Sequence, residues 1–193
     1  ASEAATIIAH YDMEDQSSTQ LTDVSGNANH APFGGSGHAY VTDSAADTYA
    51  YSRTGGWQNI PTINASSGVL SLSLWYRDPD AVVNTEIVWG NGVVSGKKPW
   101  IYVANGGSND QKLVAEWPGT PNPQYLTSGN SVIVRDTWQH LVIVMDSNAD
   151  TVKGYVNGTL EINASGTNFT SEMGGHLGNV PNGTQTNVAM YDD

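Results

Sequence analysis

Hydrolysis by paired carboxylates needs one acid on each side of the bond that breaks. On a β-strand, residues two apart share a face, so that spacing is the one to look for. The 193-residue chain has it at Asp12 and Glu14, directly after residues 7–11, which read as an opening edge strand. An edge is the wrong place for a cleft, and no central strand contains such a pair within its span. A nucleophile elbow of the G-x-S-x-G type is absent, and the basic groups a lyase would use are few and scattered. The expectation is a protein without catalytic residues.

Hard oxygen ligands are a different matter. Asp12, Glu14, Asp15 and Asp23 crowd the first 30 residues, with backbone carbonyls available at Gly26-Asn27. Such a set suits calcium, and a structural Ca2+ held by Asp12, Glu14, Asp23 and Asn27 is the cofactor expected here. Asp146-Ser147-Asn148-Ala149-Asp150 also matches the start of a D-x-N-x-D calcium loop. It has Thr151 in place of the required glycine and Asn157 in place of the closing glutamate, so it reads as a turn. His10, His30, His38, His140 and His176 lie too far apart in sequence for paired ligand spacing. The absence of cysteine excludes thiolate zinc and disulfides.

The aromatic residues carry the strongest binding signal. Six Trp and nine Tyr stand against two Phe. Trp and Tyr stack on sugar rings and keep a polar handle, so this bias suits a glycan binder. Trp57, Trp89, Trp100 and Trp117 fall in or beside loops and edge strands. The ligand-binding set read from the sequence is Trp57, Trp100, Trp117 and Tyr125, with the proline-stiffened segment 118–123 beside it. Trp75 and Trp138 are assigned to the core.

These side chains need a β-scaffold. Residues 69–77 alternate, placing Leu70, Leu72, Leu74 and Tyr76 on one face and Ser71, Ser73, Trp75 and Arg77 on the other. Residues 141–144 and 151–156 form two apolar strands around the Asp146–Asp150 turn, and Asn157-Gly158 signals a second tight hairpin. Further strands are expected at 48–52, 85–89, 100–104, 112–117, 132–135, 160–162 and 187–191. Residues 34–37 read as a flexible glycine loop, and 163–187 as mostly loop.

Four segments carry a resemblance: residues 10–31 with their Asp-Val-Ser-Gly-Asn turn, 69–81 ending after a tryptophan, 135–158 with Trp138, His140 and Tyr-Val-Asn-Gly, and 174–192. Their order resembles laminin-G-like domains of the concanavalin A-like superfamily. The resemblance implies an all-β, two-sheet antiparallel jelly-roll sandwich spanning 1–193. It also implies a structural role for His140, and a module that binds rather than reacts. Calcium in that family sits between the first loop and an acid of the closing strand. That acid would fall at Thr186, leaving Asn187 or Asp192 to substitute.

Composition narrows the partners. With 7 basic and 19 acidic residues, the net charge is −12, which disfavours nucleic acid. No run of 18 apolar residues spans a membrane. The first residues carry neither Met nor an apolar signal core, which fits a cleaved secretion signal or a trimmed Met-Ala start. Five Asn-x-Ser/Thr sequons occur, at Asn64, Asn157, Asn163, Asn168 and Asn182. Two functions remain open. One is an extracellular, lectin-like module recognising a glycan. The other is a structural or decoration protein on an extracellular particle such as a phage capsid or fibre, whose partner is a protein surface. Either leaves an oligomer open.

Overall fold

The computed structural model describes residues 6–64, 68–79, 86–90, 100–104, 110–117, 124–165, 172–178 and 189–192. Among these residues every regular element is a strand. One sheet has eight strands, in the order β1 (Gln20–Leu21), β2 (Ala31–Gly34), β5 (Trp57–Asn64), β14 (Glu172–Gly178), β7 (Glu86–Gly90), β8 (Trp100–Ala104), β9 (Lys112–Trp117) and β10 (Gln124–Thr127). The other has seven, in the order β13 (Thr159–Ser165), β12 (Thr151–Val156), β11 (Gln139–Asp146), β6 (Val69–Arg77), β15 (Ala189–Asp192), β4 (Ala50–Arg53) and β3 (His38–Val41). Neighbours pair antiparallel throughout, giving a jelly-roll sandwich.

Alternation decides which side chains meet. Leu70, Leu74 and Tyr76 of β6 and Leu141, Ile143 and Met145 of β11 turn inward. They join Trp89, Ile101, Val103, Leu113 and Leu177 from the other sheet in one core. Each aliphatic side chain sealed there contributes about 1.5–3 kcal/mol. The hairpin around the Asp146–Asp150 turn forms as read. Leu141 faces Val156, and Asp146 faces Thr151. In the turn, Asp146 Oδ1 accepts the amides of Asn148 and Ala149, each at 2.9 Å. Asn157 (φ 49°) and Gly158 (φ 79°) then link β12 to β13 with both residues left-handed, as a type I′ turn requires.

Four sequence expectations change. Residues 7–11 are not a strand, because side chains take their backbone groups. Asp23 Oδ1 accepts the His10 amide at 2.9 Å, Asn27 Nδ2 donates to the Ile7 and Ile8 carbonyls, and Asn29 Nδ2 donates to Ile8. Residues 132–135 are also irregular. There the Gln139 side chain accepts from the Val134 amide and donates to the Val132 carbonyl. The glycines at 34–37 form a tight connection between the two sheets, with Gly34 inside β2 and Gly35 and Gly37 left-handed.

The fourth change is the largest. The region 163–187 holds the end of β13 and all of β14, and β14 lies inside the eight-stranded sheet. Its glycines made it read as loop. One of them makes room for a neighbour, since a Cβ on Gly178 would lie 2.5 Å from Nε of the buried Arg53.

Two tryptophans leave the core as well. Trp75 is half-buried on the outer face of the seven-stranded sheet, the face its alternation with Leu74 and Tyr76 dictates. Trp138 precedes β11 and is half-buried, its indole N–H donating to Asp43 Oδ1 at 3.4 Å. Trp89, considered with the loop aromatics, is instead 0% exposed.

Candidate functional site

The outer face of the eight-stranded sheet gathers aromatic and polar side chains from strands far apart in sequence. On β5, Gln58 and Ile60 turn into the core, so Trp57 and Asn59 turn out. On β8, Ile101 and Val103 are buried, while Trp100, Tyr102 and Ala104 alternate on the outer side. His176 of β14 pairs with Asn59 on one flank and Gly90 on the other.

Trp57 is held before any ligand arrives. Its indole crosses Gly34 and Gly35 so closely that a Cβ on Gly34 would stand 2.3 Å from Nε1. The indole N–H donates to Asn59 Oδ1 at 3.1 Å, and Asn59 Nδ2 donates to the Pro32 carbonyl at 3.3 Å. The His176 ring meets it edge-on, with centroids 6.2 Å apart at 80°. Burial pushes His176 below its ordinary value of 6.5, and a hydrogen bond with the Gln58 backbone offsets only part of that. The ring is therefore neutral near pH 7.

Beneath this platform lies a polar network. His38 stacks on Phe33 with centroids 4.5 Å apart, and its Nε2 lies 3.2 Å from the Gly34 carbonyl. A carbonyl can only accept, so Nε2 carries the proton and Nδ1 accepts from the Tyr51 hydroxyl. Gln58 Nε2 donates to the Tyr51 oxygen in turn. Burial depresses His38 and raises Tyr51, which keeps both neutral.

Across β8 and β9, Trp100 pairs with Glu116 and Tyr102 with Val114, and Glu116 pairs with Tyr125 of β10. Trp117 pairs with Gln124, one step off that row. All four sequence-derived ligand residues, Trp57, Trp100, Trp117 and Tyr125, thus belong to the eight-stranded sheet, and Trp100 and Tyr125 are linked through Glu116. Asn59, Tyr102, Glu116 and His176 join them, and sequence reading missed these. The segment 118–123 lies outside the described residues.

Residues 33–193 match the family model described as the concanavalin A-like lectin/glucanases superfamily, of laminin-G type. The chain belongs to that family. Among solved structures, this laminin-G-like chain is similar to domain 4 of AbnA, an extracellular arabinanase from Geobacillus stearothermophilus solved with arabinotriose. Identity is 17%, coverage is 98% of this chain and 94% of that one, and the TM-score is 0.60. It is also similar to the carbohydrate-binding module CBM66 from Bacillus subtilis, at 12% identity, 81% and 89% coverage and a TM-score of 0.50. The alginate lyase AlyC3 matches at 9% identity, 80% and 76% coverage and a TM-score of 0.52. At these identities the likeness is one of fold. No curated protein matches the chain by sequence.

The four residues expected to hold calcium are engaged with the backbone. Asp23 Oδ1 accepts from His10 and Ser25, and Oδ2 from Asn29 at 2.8 Å. Burial raises the Asp23 pKa, but hydrogen bonds from the Ser25 side chain and from the His10, Ser25 and Asn29 amides outweigh it, bringing the value to about 2. Glu14 Oε1 accepts the Thr48 and Tyr49 amides at 2.9 and 2.8 Å. Asp12 accepts the Glu14 amide, and the Asn27 amide group donates to Ile7 and Ile8. Among the described residues no group of three His, Cys, Asp or Glu converges as a metal site. Asp192, the stand-in acid of the closing strand, is buried, and its Oδ2 accepts the Ala45 and Ala46 amides. Asn187 lies outside the described residues.

Proposed function

We propose that this chain is a non-catalytic glycan-binding module acting outside the cell, with its ligand on the outer face of the eight-stranded sheet. One observation carries the reading. Trp57 is fixed across a glycine backbone, tied through its N–H and still half-exposed. An aromatic surface ordered in advance loses little entropy when a sugar stacks on it. Trp100 and Tyr102 extend that surface, while Asn59, His176 and Glu116 supply hydrogen-bonding groups for hydroxyls.

The fold itself admits enzymes as well as binding modules, so residues must decide. The outward positions of β8 are Trp100, Tyr102 and Ala104, and none of the described strands carries two carboxylates two apart. That supports binding without bond cleavage. The relatives whose names record a bound arabinotriose or a carbohydrate-binding role support the glycan class.

The test is affinity electrophoresis against arabinan, β-glucan, alginate and polygalacturonate, with product analysis on the same mixtures. Retardation by at least one polymer, lost in Trp57→Ala and without product release, is expected. Full mobility in all of them would overturn the glycan reading and favour a particle-surface role.

A further inference from the structure

We infer that His38 is a proton-operated latch beneath the Trp57 platform, holding it ready for ligand when neutral and releasing it when protonated. This rests on the glycan-binding reading and adds regulation of that site by pH. The His38 ring is held on two sides. Phe33 stacks on its face, with centroids 4.5 Å apart, and a Cβ on Gly56 would lie 2.3 Å from its Cε1. Gly56 directly precedes Trp57 in the chain. The ring's Nε2–H holds the Gly34 carbonyl, and Gly34 pairs with Trp57 and lies beneath its indole. One imidazole thus touches both the backbone that carries the tryptophan and the backbone that supports it.

The proton sets the direction of every bond behind the ring. His38 and Gln58 meet at the Tyr51 oxygen and compete for one hydroxyl proton. With a neutral ring that proton goes to Nδ1, so Gln58 must offer an N–H to the oxygen. A proton on Nδ1 reverses both bonds. Nδ1–H then donates to Tyr51, the hydroxyl turns to Gln58, and Gln58 must offer its carbonyl oxygen. The amide has to turn over, because its Nε2 stands 3.3 Å from Nδ1 and two donors repel there. Gln58 Oε1 is buried with no partner among the described residues. Turning gives Oε1 a donor but moves Nε2 into that dry, unpartnered place.

Charge opposes the imidazolium as well. Arg53, the ladder partner of His38 on β4, presents a facing positive charge. The remaining titratable groups around the ring are phenols. Tyr51 of β4 stacks on Tyr191 of β15, and Tyr40 of the His38 strand meets Tyr51 edge-on. Asp15 and Asp12 act on Tyr40. From β2 come Phe33 and Gly34, and from β14 His176 meets the indole. Burial depresses the His38 pKa, the Gly34 bond works against that, and the Arg53 charge adds to it. The intact platform therefore binds this proton more weakly than an opened one, and falling pH favours opening. Protonation loosens the ring from its network, and the Gly34–Gly35 shelf under Trp57 loosens with it. By reciprocity, bound glycan depresses His38 further.

The experiment follows the Trp57 indole N–H and the His38 ring by NMR of the full chain, from about pH 7.5 to about pH 4.5. Both should shift with one midpoint, below 6.5. The indole shift should vanish in His38→Gln and persist in His176→Gln. Affinity electrophoresis against arabinan, β-glucan, alginate and polygalacturonate adds the binding side. From about pH 7.5 to about pH 5 the dissociation constant should rise about fivefold in the native chain, and by no more than about twofold in His38→Gln. An indole N–H that stays still across the His38 midpoint would overturn the latch, and that measurement needs no variant to fold. An indole shift that follows His176 instead would do the same. Equal affinity at both pH values, with a moving indole, would overturn control of binding. If the indole follows His38 and no polymer is retarded at either pH, the latch stands and the glycan reading fails.

Discussion

The two outer faces of the sandwich each carry a tryptophan beside a histidine, yet the pairs are built differently. On the seven-stranded sheet, Trp75 and His140 are direct partners on β6 and β11, with ring centroids 5.2 Å apart. His140 Nε2 bonds Ser73 Oγ at 2.8 Å, and its amide donates to Asn157 Oδ1. The β6–β11 pairing there is regular, and the pair braces the hairpin of β11 and β12. On the eight-stranded sheet, Trp57 and His176 come from β5 and β14, where the register shifts between Met173 and Gly175. The indole also lies over the backbone of Gly34 and Gly35. The same two residue types brace a ladder in one place and form a platform in the other. What separates them is the glycine beneath the ring.

The largest expected effect tests the core that both faces share. Trp89→Ala should cost about 3–5 kcal/mol of stability, seen as a lowered denaturant midpoint. A loss no larger than that of Trp57→Ala would mean the buried and facing tryptophans are not distinct classes. Next comes the contrast itself. Trp57→Ala should weaken glycan binding by about 1–3 kcal/mol, whereas Trp75→Ala should leave binding unchanged and lower only the melting temperature. Equal binding losses from both would remove the distinction between platform and brace. Gly34→Ala sharpens the point without touching an aromatic residue. Its new methyl would displace the Trp57 ring, so binding should fall by about 1 kcal/mol in titration calorimetry.

Much of the fold was legible in the residues, because the seven-stranded sheet follows simple rules. Leu70, Leu74 and Tyr76 alternate, Asp146 caps a turn, and Asn157-Gly158 closes a hairpin. The N-terminal segment and β14 were not legible. Residues 7–11 are apolar enough for a strand, but Asp23, Asn27 and Asn29 satisfy their backbone first. Gly178 of β14 makes room for the buried Arg53, a tertiary demand that local patterns do not reveal. The site divides the same way. Trp57 and Trp100 stood out by residue type, but His176 and Asn59 became neighbours only through strand order. Trp75 was misassigned although its alternation placed it outside.

Smaller effects concern protons and ions. His38 and His176 are held below 6.5 by burial, so the unfolded chain takes up protons first as pH falls. Their contribution to stability is complete above 6.5 and declines below it. His38→Gln should flatten the decline of melting temperature between pH 7 and 5. Asp23 works lower on the scale. Its stabilisation is present above its ordinary 3.8 and is lost as pH falls through about 2. The smallest effect expected is that of chelator. With the carboxylates of Asp12, Glu14 and Asp23 already accepting amides, excess EDTA should leave the melting temperature where it was. A clear drop would show that calcium replaces some of those amides.

The segment between β3 and β4 is gripped from both ends of the chain. Glu14 takes the amides of Thr48 and Tyr49, and Asp192 takes those of Ala45 and Ala46 across 147 residues of sequence. Contacts that distant form late, because a large loop must close before they gain anything. The segment therefore serves as a record of completed folding. Protection of the Ala45 and Ala46 amides from hydrogen exchange would arise only when the final strand has docked, while Thr48 and Tyr49 would report the arrival of the first residues. Read together in a pulse-labelling experiment, these four amides would date the closure of the sandwich at each end of the polypeptide.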